Sequence, residues 1–290
     1  MFDNLPAFAM QVLRLAVWLA LLTAIFVPLE RWFALRASPW RRTEFGNDLA
    51  YYFINNLVPT MLLALPLAAL ASLLHLVVPG SFYAAVKALP LWLTIPLGLV
   101  VADIGAYWGH RLSHEIPWLW RFHAVHHSAE HIDYMVNSRA HPIDMVVTRL
   151  FGLVPLYMLG LGSAGAAGSV LPVIIAVIGT LSAFFVHANV RWRLGPIEAL
   201  VATPAFHHWH HTRIDHINRN YAATFPWLDR LFGSHYLPTH WPDAYGIPEP
   251  LSPTLSGQLL APFARSQPGV GAVPVDGSAQ AIGEGELRTP

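Results

Sequence analysis

The chain has no cysteine in 290 residues. That absence excludes disulfides, thiolate zinc sites, iron–sulfur clusters and a cysteine nucleophile. Charge is scarce as well: 12% of residues are charged, against about 25% in soluble domains. The 17 Lys and Arg balance 17 Asp and Glu, so there is no basic footprint for nucleic acid. No G-x-G-x-x-G run sits in a strand–helix context, which removes a built-in dinucleotide site. Paired Glu-x-x-His motifs are missing too, so the carboxylate-rich di-iron bundle is not the architecture.

What is present is apolar. The chain is 54% hydrophobic with a mean hydropathy of +0.44. Residues 12–29 suffice to cross a bilayer, which takes ~20 residues, and Arg14 lies where it can snorkel. Pro28, Glu30 and Arg31 follow in place of a small-residue cleavage site, so this run reads as a span rather than a signal peptide. Arg31, Arg36, Arg41 and Arg42 put the 31–48 loop in the cytoplasm by the positive-inside rule. Residues 49–78 lead outward, 79–90 form an outer loop, and 91–109 return. Residues 145–161 and 170–186, joined by the small residues 163–168, read as a hairpin that spans or re-enters. Residues 111–143 and 187–250 then face the cytoplasm, and 251–290, rich in Pro, Gly, Ser and Ala, read as a disordered tail. The expected fold is all-α: an integral membrane protein with four to five transmembrane helices and a cytoplasmic histidine-rich helical cap holding a dimetal site. Its segments are 1–90 (first spans and basic loop), 91–250 (catalytic) and 251–290 (tail).

The cap is defined by histidine spacing. His110 and His114 form an i, i+4 pair; His123, His126 and His127 form an i, i+3, i+4 triplet; His207, His210 and His211 repeat it. Such spacings share one helix face. Neutral imidazole suits Zn, Cu, Fe and Ni. Eight nitrogens exceed the four ligands of one structural zinc site and suit two metals, each with an open position. One such cluster is often only a solvated face; three, two with the same spacing, point to metal. His208 lies about 100° around the helix from His207 and reads as a neighbour of the site. His75 is isolated and reads as an interfacial residue. Asp103, Tyr107, His110 and His114 fall at i, i+4, i+7 and i+11, one continuous stripe. A carboxylate in an apolar span is expensive. Either Asp103 or Tyr107 orients a ligand imidazole, or Asp103 pairs with another buried polar group.

The segments HRLSH (110–114), LWRFHAVHHSAE (119–130), TPAFHHWHH (203–211) and NRNYAATFPWLDRLFG (218–233) together resemble the fatty acid hydroxylase / sterol desaturase superfamily of membrane di-iron oxygenases. The resemblance covers roughly residues 95–240. It implies that His110, His114, His123, His126, His127, His207, His210 and His211 are metal ligands and adds His187 of FFVHAN. His141, in NSRAHP, is implied as a ligand or supporting partner, or else simply starts a helix. The implied cofactors are two iron ions, with zinc as substitute, and O2. The implied reaction is hydroxylation or desaturation of a sterol, fatty acyl, carotenoid or alkylglycerol lipid taken from the bilayer. Electrons must come from outside, through a separate donor of ferredoxin or cytochrome b5 type with its reductase. Arg111, Arg121 and Arg139 are candidate contacts for it, or a plain positive-inside face. Two alternatives stay open. A metal transporter should bind near the bilayer midplane. A zinc hydrolase needs a carboxylate base; Glu115 adjoins His114, but H-E-x-x-H is absent.

Overall fold

The computed structural model describes residues 6–38, 42–162 and 170–264. Arg41, the 163–168 linker and the tail beyond 264 lie outside the described residues. The described residues form ten α-helices and three short 3-10 turns, with no strand among them. In order they are α1 (Ala7–Trp32), α2 (Phe45–Val77), α3 (Gly80–Lys87), α4 (Leu91–Glu115), α5 (Pro117–His127), α6 (Pro142–Met158), α7 (Val170–His187), α8 (Pro204–His210), α9 (Trp227–Leu231) and α10 (Leu255–Leu260). The helices α1, α2, α4 and α7 are long and apolar enough to cross a membrane. The expected fifth span corresponds to α6, 17 residues long, which packs against α2 and α4. Large apolar side chains such as Met61, Leu65, Leu76 and Trp92 stay exposed on the outer faces of these helices. A hydrocarbon solvent suits such a surface.

Proline and capping chemistry set the corners. Ile116 precedes Pro117 and is held extended (ψ 113°), because the proline ring excludes the helical region for the residue before it. So α4 stops at Glu115 and α5 starts at once, which turns His123 back towards His114. Pro142 and Pro204 occupy first helical positions, where no N–H is needed. The Thr203 hydroxyl accepts from the Phe206 N–H (3.4 Å) and caps α8.

The C-terminal ends of α1, α4 and α7 and the N-terminal ends of α2 and α6 meet in one cap. Phe33 and Asn189 segments exchange backbone bonds there: Leu35 N–H donates to Asn189 O (3.2 Å) and Arg191 N–H to Phe33 O (2.9 Å). At the start of α2, a buried ion-pair knot joins Arg42 to Asp48 and Asp133, and Arg139 to Asp48 (2.6 Å) and Glu44 (2.8 Å).

Part of the expected tail is ordered. Thr254 caps α10, and Phe263 packs its ring against Phe122 (5.6 Å) and His141 (5.9 Å). Leu255 and Leu259, half-buried, and Pro262, buried, dock this capped turn within a Pro- and Ser-rich segment.

The closest helix pairing, α4 against α6, rests on small residues. Gly98, Ala102, Gly105 and Gly109 recur at i, i+4, i+7 and i+11, the close-approach stripe of membrane helices. A Cβ on Gly105 would run into the Phe151 carbonyl, and one on Gly109 would stand 2.8 Å from Phe151 Cβ. Backbone cannot give way as a side chain does. Gly105→Ala is expected to destabilise the chain by about 1–3 kcal/mol, as overpacking does elsewhere. A thermal unfolding midpoint in detergent that drops against wild type checks this.

Candidate metal centre

Nine imidazoles collect inside the cap in two groups. One holds His110, His114, His123, His127 and His210; the other holds His126, His187, His207 and His211. Within each group the candidate ligand atoms lie within 4.8 Å of one another. Seven of the nine side chains are buried; His110 and His114 are partly so. Each H-x-x-H-H triplet is split between the groups. Its i, i+4 members, His123 with His127 and His207 with His211, stay together. The member between them, His126 or His210, turns to the other group. The two triplets therefore lace the groups to each other.

Hydrogen bonds fix which ring nitrogen faces inward. Nδ1 of His110 lies 2.8 Å from Tyr221 O, that of His126 2.8 Å from Arg139 O, that of His187 2.7 Å from Ala183 O, and that of His210 2.8 Å from Arg219 O. A carbonyl only accepts, so each of these Nδ1 atoms carries the proton and each Nε2 presents a bare lone pair. His123 Nδ1 donates to Asp144 Oδ2 (3.0 Å), the carboxylate–histidine pairing that raises ligand basicity. The lone pairs then face each other. His126 Nε2 stands 3.2 Å from His187 Nε2, and both are acceptors only. His187 Nε2 lies 3.0 Å from His207 Nε2 and 3.2 Å from His211 Nε2. In the first group, Nε2 of His114 and of His210 have no hydrogen-bond partner among the described atoms.

Facing lone pairs repel unless a cation lies between them. Metal–nitrogen bonds of about 2.0–2.1 Å set neighbouring ligands roughly 2.8–3.4 Å apart, from octahedral to tetrahedral geometry. The observed 3.0–3.2 Å spacing fits a first-row metal. Burial, and then the neighbouring imidazoles, push His126, His127, His207 and His211 well below the ordinary histidine range; His210 is lowered the same way. These rings are thus held neutral, the form that binds metal.

The carbonyls that hold the imidazoles are themselves clamped. Asp229 accepts from the N–H groups of Tyr221 (2.7 Å) and Ala222 (2.9 Å), and Asp103 from those of Thr224 (3.0 Å) and Phe225 (2.8 Å). Asn220, at φ 58°, donates to Phe206 O (2.8 Å) and Tyr236 O (2.7 Å). On the other side, Asn55 donates to Ser138 O (2.9 Å) and Ala140 O (2.8 Å), bracketing the Arg139 carbonyl.

The other candidate residues lie outside the two groups. Neither Asp103 nor Tyr107 binds an imidazole. Asp103 clamps the 221–225 loop, and the Tyr107 hydroxyl pairs with Ser234 Oγ (2.7 Å) and accepts from Arg111 (3.2 Å). Their helix stripe does run into His110 and His114, but the loop intervenes. Arg139 is fully buried in its ion pairs and is no docking contact; Arg111 is engaged by Glu115 (2.7 Å). His141 lies outside both groups: its Nδ1 caps α6 by accepting from Ile143 N–H (3.2 Å), and its Nε2 donates to Leu259 O (3.1 Å). His208 is held between Tyr245 OH (2.8 Å) and Ala188 O (3.2 Å), and burial pushes it down to about 3. His235 stands beside Phe206, 5.8 Å ring to ring, also outside the groups. Asp144 went unnoticed in the sequence, although a carboxylate directly after Pro142-Ile143 in an apolar run was a usable signal. The accepting carbonyls leave no trace in the side-chain sequence.

A cavity of about 630 Å³ opens from the histidines between α2, α4, α6 and α7. His110, His123, His126, His187 and His207 line one end; Leu153, Ala176 and Phe184 are among its apolar walls.

Fold and donor set together define an integral membrane protein with a site able to hold two metal ions. Residues 95–234, just under half of the chain, match the fatty acid hydroxylase family. It is 36% identical over 181 residues to the ornithine lipid hydroxylase OlsE of Rhizobium tropici, covering 61% of this chain and 52% of the relative. It is 31% identical over 159 residues to the alkylglycerol monooxygenase of Danio rerio, covering 53% and 33%. It is 26% identical over 151 residues to methylsterol monooxygenase 2-2 of Arabidopsis thaliana, covering 50% and 55%. The chain thus spans about half the length of the first relative and a third of the second. No solved structure matches it.

Asp144→Ala is expected to weaken metal binding about 10–100-fold, the usual cost of losing such a supporting group. His141→Asn, which keeps a capping side chain, should leave metal content unchanged. Metal analysis of both variants after graded chelator competition checks the pair.

Proposed function

We propose that this chain is a membrane-bound non-haem di-iron oxygenase that hydroxylates or desaturates a lipid. One observation carries the reading. Two groups of inward-facing imidazole lone pairs, typified by His126 and His187 at 3.2 Å, border a cavity enclosed by membrane helices. In this reading His110, His114, His123, His127 and His210 hold one iron, and His126, His187, His207 and His211 hold the other. Bound iron supplies the activation of O2 and the oxidation of an unactivated C–H bond.

The chain's own residues do the rest. The Arg139, Ala183, Arg219 and Tyr221 carbonyls and the Asp144 carboxylate keep protons on Nδ1 and lone pairs on Nε2. Leu153, Ala176 and Phe184 exclude water and receive an alkyl chain directly from the bilayer. The small Ala106, Ala183 and Ala223 leave room for substrate beside the histidines. The printed activities of the relatives, on ornithine lipids, alkylglycerols and methylsterols, support a lipid substrate. Electrons come from a separate ferredoxin or cytochrome b5 type donor. The arginines of the 31–48 loop support a cytoplasmic cap, where such a donor is found.

The alternatives fare worse. A transport site belongs near the midplane, whereas these histidines sit at helix ends. Neither group contains a carboxylate, among the described residues, to serve a hydrolase as base.

The test is turnover by iron-loaded full-length protein with a ferredoxin and reductase, in native lipid extract under 18O2. A lipid carrying one 18O, or one lacking two hydrogens, formed only with O2, is the expected result. Oxygen-independent hydrolysis, or metal uptake into sealed proteoliposomes without lipid change, would contradict the assignment.

A further inference from the structure

Among the seventeen residues of α6, Arg149 is the lone cation. The side chain is partly buried and lines the cavity that reaches the histidines. Among the described residues, no hydrogen bond or ion pair reaches its guanidinium, and no nearby charge compensates it. Several arginines of the cap are satisfied. Arg42 and Arg139 hold Asp48, Arg111 holds Glu115, and Arg193 holds the Pro238 and His240 carbonyls. Arginine stays charged under all ordinary conditions. An unpaired cation in an apolar helix is costly and needs a partner or a route to water. The ordinary route is snorkelling along the helix to the membrane surface. Arg149 instead stands in the wall of the reaction cavity.

Resting on the oxygenase reading of this cavity, we infer that Arg149 binds the anionic group of the lipid substrate, a carboxylate or phosphate in its headgroup. The planar guanidinium fork matches both oxyanions bidentately. Asn137 lines the same cavity and offers a further donor. The one acidic group on that wall, Asp144, is already engaged by His123 and does not compete. Position adds a consequence. Arg149 lies five residues beyond Asp144, about 7.5 Å along the helix axis at 1.5 Å per residue. A lipid anchored there by its anionic group presents carbons near its polar end, not the far end of its chain, to the histidines. The cavity volume of about 630 Å³ encloses a headgroup and the chain segment next to it.

The experiment uses full-length, metal-loaded protein in uncharged maltoside detergent. Radiolabelled dodecyl phosphate is the probe, with dodecanoate, dodecanol and inorganic phosphate as competitors. Wild type, Arg149→Gln and Arg149→Lys are compared, with metal content measured on each sample. Wild type should bind dodecyl phosphate and dodecanoate at least tenfold more tightly than dodecanol. Arg149→Gln should lose that preference with its metal content intact, and Arg149→Lys should retain part of it. Equal affinity of wild type for dodecanol and dodecyl phosphate overturns the inference, and so does anion preference that survives in Arg149→Gln, since the metals would then be the anion site. Displacement of the probe by inorganic phosphate at equal concentration overturns its assignment to a lipid. Because binding is read without turnover, the two proposals fail separately. Anion preference in a chain that oxidises nothing would sink the oxygenase, and oxidation without anion preference would sink the role of Arg149.

Discussion

Repulsion between buried lone pairs is the constraint on which this structure turns. Nitrogen atoms that can only accept hydrogen bonds face one another at 3.2 Å in the pair His126–His187. Burying a polar group without a partner costs free energy, and burying several against each other costs more. A cation between them reverses the sign. In that view metal binding and folding of the cap are linked, because the site exists only when the segments from α4, α5, α7 and α8 have come together.

Everything around the groups holds that arrangement. Imidazoles on four helices are aimed by carbonyls on two loops and on α7 itself. Those carbonyls are held in turn by Asp103, Asp229, Asn220 and Asn55. The ion-pair knot of Arg42, Asp48, Asp133 and Arg139 ties the start of α2 to the turn carrying the Arg139 carbonyl. The glycine stripe of α4 lets α6 approach closely enough to bring Asp144 to His123. Polar chemistry is confined to the cap, and the membrane helices need only length, apolarity and small residues at their contacts.

The sequence disclosed the parts of this that follow from periodicity. Helical histidine spacing and apolar runs pointed to the spans and to the three clusters, and superfamily resemblance added His187. The split of each triplet between two groups was not legible, because it depends on how α5 and α8 cross. Asp103 and Tyr107 show the limit of a helix stripe: it places side chains on a face without saying what covers that face, here the 221–225 loop. Composition misled at residues 255–263, where a few apolar side chains dock a helix within a Pro- and Ser-rich segment. The uncompensated charge of Arg149 has meaning only beside a cavity, and no linear pattern shows a cavity.

The central claim is that two separate all-imidazole groups each hold one metal. It is tested most directly by counting metal in anaerobically purified full-length protein beside His114→Ala, from the five-histidine group, and His207→Ala, from the four-histidine group. Two metals per chain in the wild type, with one retained in each variant, is the result the structure predicts. A single metal per chain in the wild type, lost in both variants, would contradict it.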